Sequence, residues 1–147
     1  MNEAKRATSC EMECVLDRRM VDEYAELLGD HNPLHVNADF AAQTIFGKPI
    51  AHGGILFGLI SRIIGTTLPG PGTVYLSQTL RFHKPVYVGE RVIIRVVLMN
   101  ELPKLEAVLK TEVLKADEEL AAEGEARVKL PAWCRRRAAD TSKTVRG

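Results

Sequence analysis

The sequence predicts an α+β fold in which an antiparallel sheet wraps around a long apolar helix. Three observations predict it. The segment from Ile55 to Leu68 is the longest apolar run, interrupted by Arg62, and its large residues fall on almost every side of a helix. From Thr73 onward the apolar period changes from helical to two. The period-two runs follow one another across short turns that hold Pro85, Gly89, Pro103 and Asp117-Glu118, which suits hairpin succession. A chain of 147 residues can build one core of this kind.

Taken in order, Ser9 to Leu16 alternates, with Cys10, Met12, Cys14 and Leu16 on one side and Glu11 and Glu13 on the other, as in a first strand. Asp17 is a suitable N-cap for a helix through Leu28 whose inner face holds Val21, Tyr24, Leu27 and Leu28. Gly29 stops it. Asn37 can cap a short helix with Phe40, Ala41, Ala42 and Ile45, ending near Gly47 and Pro49. The apolar helix starts at Gly53 or Gly54, reaches about Thr67, and is expected to be buried. Pro69-Gly70-Pro71-Gly72 breaks it. Strands then cover Val74–Phe82, Glu90–Asn100 and Lys104–Lys115. A last one places Leu120, Ala122, Gly124, Ala126, Val128 and Leu130 inside. The edges of so small a sheet need cover, and pairing with a second copy is the simplest cover.

Composition narrows the function. Net charge is +1, which argues against a nucleic-acid partner. The charge is uneven: after Leu130 there are five Lys or Arg against one Asp, so residues 132–147 read as a basic, solvated tail behind a single domain at 1–131. Cys10, Cys14 and Cys134 are odd in number. The first two would lie about 13 Å apart on a strand, too far for a disulfide. A reducing compartment is expected: cytoplasmic, or the mitochondrial matrix if the source is eukaryotic. Glu3, Glu11 and Glu13 do not suit a transit peptide, and no run is long enough to span a bilayer, so no membrane partner is expected.

The chemistry-bearing residues concentrate in Gly29-Asp30-His31-Asn32-Pro33-Leu34-His35. Asp30 and His35 can act as an acid–base pair on one water if a turn brings them together. They can equally be turn residues, with Asp30 and Asn32 bonding their own backbone. His31 and His35 have the i, i+4 spacing of a metal pair, but Pro33 breaks the helix this needs and no third ligand is evident, so no metal is expected. Ala51-His52-Gly53-Gly54 opens the apolar helix. Free N–H groups there attract negative oxygen, and glycine lets a ligand approach the backbone. Ser61 either lines a pocket or bonds back to its own helix. His83 and Lys84, at a strand end by Pro85, read as surface residues.

The run Tyr24 to His35 resembles the hydratase-2 motif of MaoC-like, (R)-specific enoyl-CoA hydratases of the single-domain kind. The resemblance continues through Phe40-Ala41-Ala42, Pro49-Ile50-Ala51-His52-Gly53, Ser61, Leu80-Arg81-Phe82 and Pro85–Glu90. It implies a hot-dog fold and a homodimer with sites near the subunit interface. It also implies reversible addition of water to trans-2-enoyl-CoA, giving (R)-3-hydroxyacyl-CoA in fatty-acid metabolism. No cofactor is implied, because the CoA thioester is the substrate. Asp30 and His35 are then the catalytic pair, Asn32 orients their loop, and Ser61 matches a serine near the catalytic water. The Gly53 N–H binds the thioester oxygen, with His52, Gly54 and Phe57 also at the substrate. Arg62, Lys84 and Arg81 are the cations to examine at the mouth for CoA phosphates. A (3R)-hydroxyacyl-ACP dehydratase fits the same residues, and a thioesterase shares the fold.

Overall fold

The computed structural model describes residues 7–134. Its organising element is helix α4 (Gly53–Thr66), preceded by strand β1 (Ser9–Val15) and helices α1 (Arg18–Leu28), α2 (Pro33–Val36) and α3 (Ala38–Ala42). Strands β2 (Val74–Gln78), β3 (Arg81–Phe82), β4 (Arg91–Leu102), β5 (Glu106–Lys115) and β6 (Leu120–Lys129) follow. All pairings are antiparallel, in the order β1-β4-β5-β6-β2, with β3 also on β6.

The core forms where α4 meets the inner face of the sheet. Ile55, Leu56, Leu59, Ile60, Ile63 and Ile64 of α4 are buried, as are Val92, Ile94 and Val96 of β4 and Ala107, Leu109 and Val113 of β5. Each large aliphatic side chain so placed contributes roughly 1.5–3 kcal/mol relative to exposure. Small residues on β6, Ala122, Gly124 and Ala126, line the sheet in the same face. Expected burial all round α4 is corrected: Gly54, Phe57, Gly58, Arg62 and Gly65 form an exposed stripe along it.

Three further expectations are corrected. On α1, Val21 and Ala25 are buried, while Leu27 and Leu28 are 82% and 60% exposed. The strand expected over Val74–Phe82 is interrupted at Thr79-Leu80. There the Thr79 carbonyl comes so close to β6 that a Cβ on Gly124 would lie 1.8 Å from it. Pro33 does not exclude a helix; it occupies the first turn of α2, where its missing N–H is not needed.

A buried polar group on β5, Thr111, is satisfied by the Gln78 side-chain N–H at 2.9 Å, and Tyr75 donates to the Gln78 oxygen at 3.0 Å. Beyond residue 131, Trp133 donates its indole N–H to the Pro71 carbonyl at 3.2 Å, and Cys134 is buried in the core. The basic run Arg135-Arg136-Arg137 lies outside the described residues. Among the described residues no helix is long and apolar enough to cross a membrane.

Candidate active site

Three capped turns deliver the acid–base residues. Gly29 ends α1 with φ +71°, a conformation that favours glycine. The Asp30 carboxylate accepts the Asn32 N–H at 3.3 Å, and the Asn32 side-chain oxygen accepts the Leu34 N–H at 3.1 Å as the N-cap of α2. Asp30 and Asn32 are thus turn residues, and the turn they make brings His35 close to Asp30. Asn32, expected in the catalytic set, acts on that loop through its cap. Arg18 adds a brace that the sequence did not signal, donating to the His35 carbonyl at 2.9 Å.

The backbone partners fix the state of both histidines. His35 Nδ1 lies 2.7 Å from the Ile50 carbonyl, which only accepts, so Nδ1 carries hydrogen and the neutral ring keeps Nε2 bare. His52 Nε2 donates to the Asp30 carbonyl at 3.1 Å, leaving its Nδ1 bare, buried and without a hydrogen-bond partner among the described residues. The His52 ring packs at a tilt against two others, with centroids 4.0 Å from His35 and 4.6 Å from Tyr24. Burial holds the His52 imidazole below its ordinary pKa, against the opposing pull of its bond to Asp30.

Ligand atoms of Asp30, His35 and His52 all lie within 4.8 Å of one another. His52 is thus a third candidate metal ligand that spacing did not reveal, whereas His31 turns to Glu26 at 3.6 Å. The carboxylate and the bare His35 nitrogen suit a single water donating one hydrogen to each.

Beside this pair, α4 starts with free N–H groups at Gly53 and Gly54, since the His52 side chain makes no cap. The preceding chain is pinned by the Ala51 N–H on the Val86 carbonyl at 2.7 Å. At Gly53 a Cβ would lie 2.8 Å from the Phe82 ring, which would have to shift, and one on Gly54 would lie 1.9 Å from the Tyr24 hydroxyl. A cavity of about 410 Å³ opens here, lined by His35, Gly53, Phe46, Phe82, His83 and Lys84. His83, read from the sequence as a surface residue, is exposed and lines this cavity, whose aromatic wall of Phe46 and Phe82 nothing in the local pattern marks.

The remaining expected residues separate. Lys84 lies at this cavity and pairs with Glu119 at 3.3 Å. Arg62 is on the exposed stripe of α4, and Arg81 lines a different hollow beside Glu123 and Glu125, so neither joins Lys84. His52 is 2% exposed and does not line the cavity, which corrects its expected role as a substrate contact. Ser61 and Phe57 line a second cavity of about 500 Å³ with Tyr75, Gln78 and Leu80, so Ser61 is not brought to His35. The two cavities lie between the same two segments, α4 and the chain from Tyr75 to Phe82. Along α4 they run from Gly53 to Ser61, about 12 Å, while the facing chain runs back from Phe82 to Tyr75.

A family model described as a MaoC-like domain matches residues 2–119. The 3-hydroxybutyryl-CoA dehydratase of Methylorubrum extorquens is 44% identical over 108 residues, 74% of this chain and 69% of that protein. The (R)-specific enoyl-CoA hydratase of Aeromonas caviae is 44% identical over 113 residues, 76% of this chain and 84% of that protein. A solved structure of the A. caviae (R)-hydratase involved in PHA biosynthesis superposes with a TM-score of 0.83 at 37% identity, covering 89% of this chain and 100% of that one.

Proposed function

The chain belongs to the MaoC-like family, and from that membership together with the site geometry we infer that it is an (R)-specific enoyl-CoA hydratase. It is a lyase with the hot-dog fold that adds water reversibly to trans-2-enoyl-CoA in fatty-acid metabolism. The observation that carries the mechanism is the approach of the Asp30 carboxylate to the His35 imidazole, within 4.8 Å of a ring nitrogen, beside the unpaired N–H groups that open α4.

Water held between Asp30 and His35 attacks C3 of the enoyl thioester. Negative charge grows on the thioester oxygen, where the Gly53 N–H and the positive end of α4 stabilise it. The pair removes a proton from the water, and the same pair returns a proton to C2. The net change is one water added, with no redox step, so the reaction draws on no cofactor. The acyl chain runs along α4 past Phe57 toward Ser61, and Lys84 at the cavity is the cation nearest the CoA phosphates.

We also place this protein as a homodimer. Strand β2 is an edge of the sheet, and Val74 and Leu76 on it are 57% and 49% exposed. Cys10 and Cys14, which form no disulfide with each other, support a reducing, cytoplasmic compartment.

The test is hydration of crotonyl-CoA, read as loss of the enoyl-thioester absorbance. Asp30→Asn is expected to lower the rate by about 10²–10⁴-fold, the range of a lost general acid–base group, while crotonyl-CoA still binds. Unchanged hydration in that variant would remove Asp30 from the chemistry. Release of free thiol would mark a thioesterase. Faster turnover of the acyl-carrier-protein ester than of the CoA ester would reassign the carrier.

A further inference from the structure

We propose that His52 is a positioning residue, a neutral ring that ties the acid–base loop to the helix carrying the thioester donor. The proposal rests on the hydratase reading above and concerns how its two halves are held in register. Asp30 and His35 belong to one loop, and Gly53 to another element twenty residues on. Two described bonds join those segments at the chemistry: His35 Nδ1–H on the Ile50 carbonyl at 2.7 Å and, next to Gly53 itself, His52 Nε2–H on the Asp30 carbonyl at 3.1 Å. His52 is the residue before Gly53 and the N-cap of α4, so this bond fixes Asp30 relative to the first N–H groups of the helix.

The ring has a second part. It packs against the His35 ring at 4.0 Å and the Tyr24 ring at 4.6 Å, so it limits the tilt at which His35 presents Nε2. This position needs a flat ring with an N–H at its far end. Phenylalanine lacks the donor, and asparagine is too short to reach.

The third observation is a cost. Nδ1 of His52 is buried without a partner, although leaving a lone pair unmet is unfavourable. A carboxylate at Nδ1 would draw a proton onto the ring and put a cation against His35. The groups facing His52 are Asp30 from the loop, His35 from α2, and Tyr24 and Arg18 from α1. The Asp30 carboxylate, within 4.8 Å of a His52 ring nitrogen, favours the charged ring, but none of these groups hydrogen-bonds Nδ1. The unmet nitrogen keeps the ring neutral while Asp30 and His35 change charge during turnover.

The experiment compares wild type with His52→Leu and His52→Gln, in crotonyl-CoA hydration and by amide exchange of Asn32, Leu34 and His35. His52→Leu is expected to lower kcat by about 10²-fold, the effect of a misplacement near 1 Å, with KM within about threefold. His52→Gln, which can offer an N–H to Asp30, recovers about tenfold of that loss. Loop amides exchange faster in His52→Leu and near the wild-type rate in His52→Gln. Equal activity in the two variants, or a change in KM alone, overturns the proposal. In the wild type, side-chain nitrogen NMR of His52 is expected to show hydrogen on Nε2 and a bare Nδ1. A hydrogen on Nδ1 overturns it even where the variants do not fold. Wild type without hydratase activity would end the hydratase reading instead, and the loop exchange would still decide the tether.

Discussion

His52 carries a stability signature that can be read apart from catalysis. Burial lowers its folded-state affinity for a proton, with the nearby His35 charge acting the same way. In the unfolded chain the imidazole takes up a proton at about pH 6.5. The unfolded state therefore binds more protons as pH falls through that value, and the folded state loses ground until its own lower pKa is passed. Urea midpoints measured from pH 7.5 down to 5 are expected to fall more steeply for wild type than for His52→Gln, which has nothing to titrate there. Parallel curves would show that His52 titrates alike in both states. At this scale the closeness of Asp30 and His35 was legible because one short motif carries both, and Gly53 was legible because it opens the apolar helix. The partners of His52 were not. A histidine beside a glycine pair looks the same whether it faces a ligand or the interior. What decides it is the Asp30 carbonyl and the Tyr24 ring, which come from α1 and the loop after it. Pro33 misled for a local reason: the rule against proline applies to helix interiors, and Asn32 makes this position the first turn.

Element by element, strands and α4 were legible because burial on one side leaves a period in the sequence. Ends and breaks were less so. The gap between β2 and β3 follows from a close approach to Gly124, a contact across the sheet that no alternation records. Leu27 and Leu28 fit the helical stripe of α1, yet the core in contact with that helix ends at Ala25. The junction of α1 with α4 gives a prediction. Gly54→Ala places a methyl 1.9 Å from the Tyr24 hydroxyl oxygen, so something has to shift. Overpacking of this kind costs about 1–3 kcal/mol, and thermal melts should show the loss. Tyr24→Phe removes the clashing atom. The double variant is expected to regain part of that loss, a coupling that a double-mutant cycle measures directly. Additive losses would show that the helix start moves rather than the tyrosine.

For the whole molecule, the two edges of the sheet differ in a way that selects one of them for pairing. On β1 the outward residues Glu11 and Glu13 are held by Arg95 and Arg91 at 2.6 and 2.8 Å, and charged side chains on an edge discourage further strand addition. On β2 the outward residues include Val74 and Leu76, and the strand bonds to β6 on one side only. A second copy added antiparallel at β2 would extend the sheet across a two-fold axis and cover both apolar residues at once. Light scattering on the purified protein should therefore give the mass of two chains. Leu76→Lys puts a charge against its own copy across that axis and should bring the mass down to one chain at micromolar concentration. Glu13→Gln, on the other edge, should leave two. If Leu76→Lys stays dimeric, β2 is not the contact, and the exposed Gly54, Phe57 and Gly58 face of α4 becomes the next surface to disrupt.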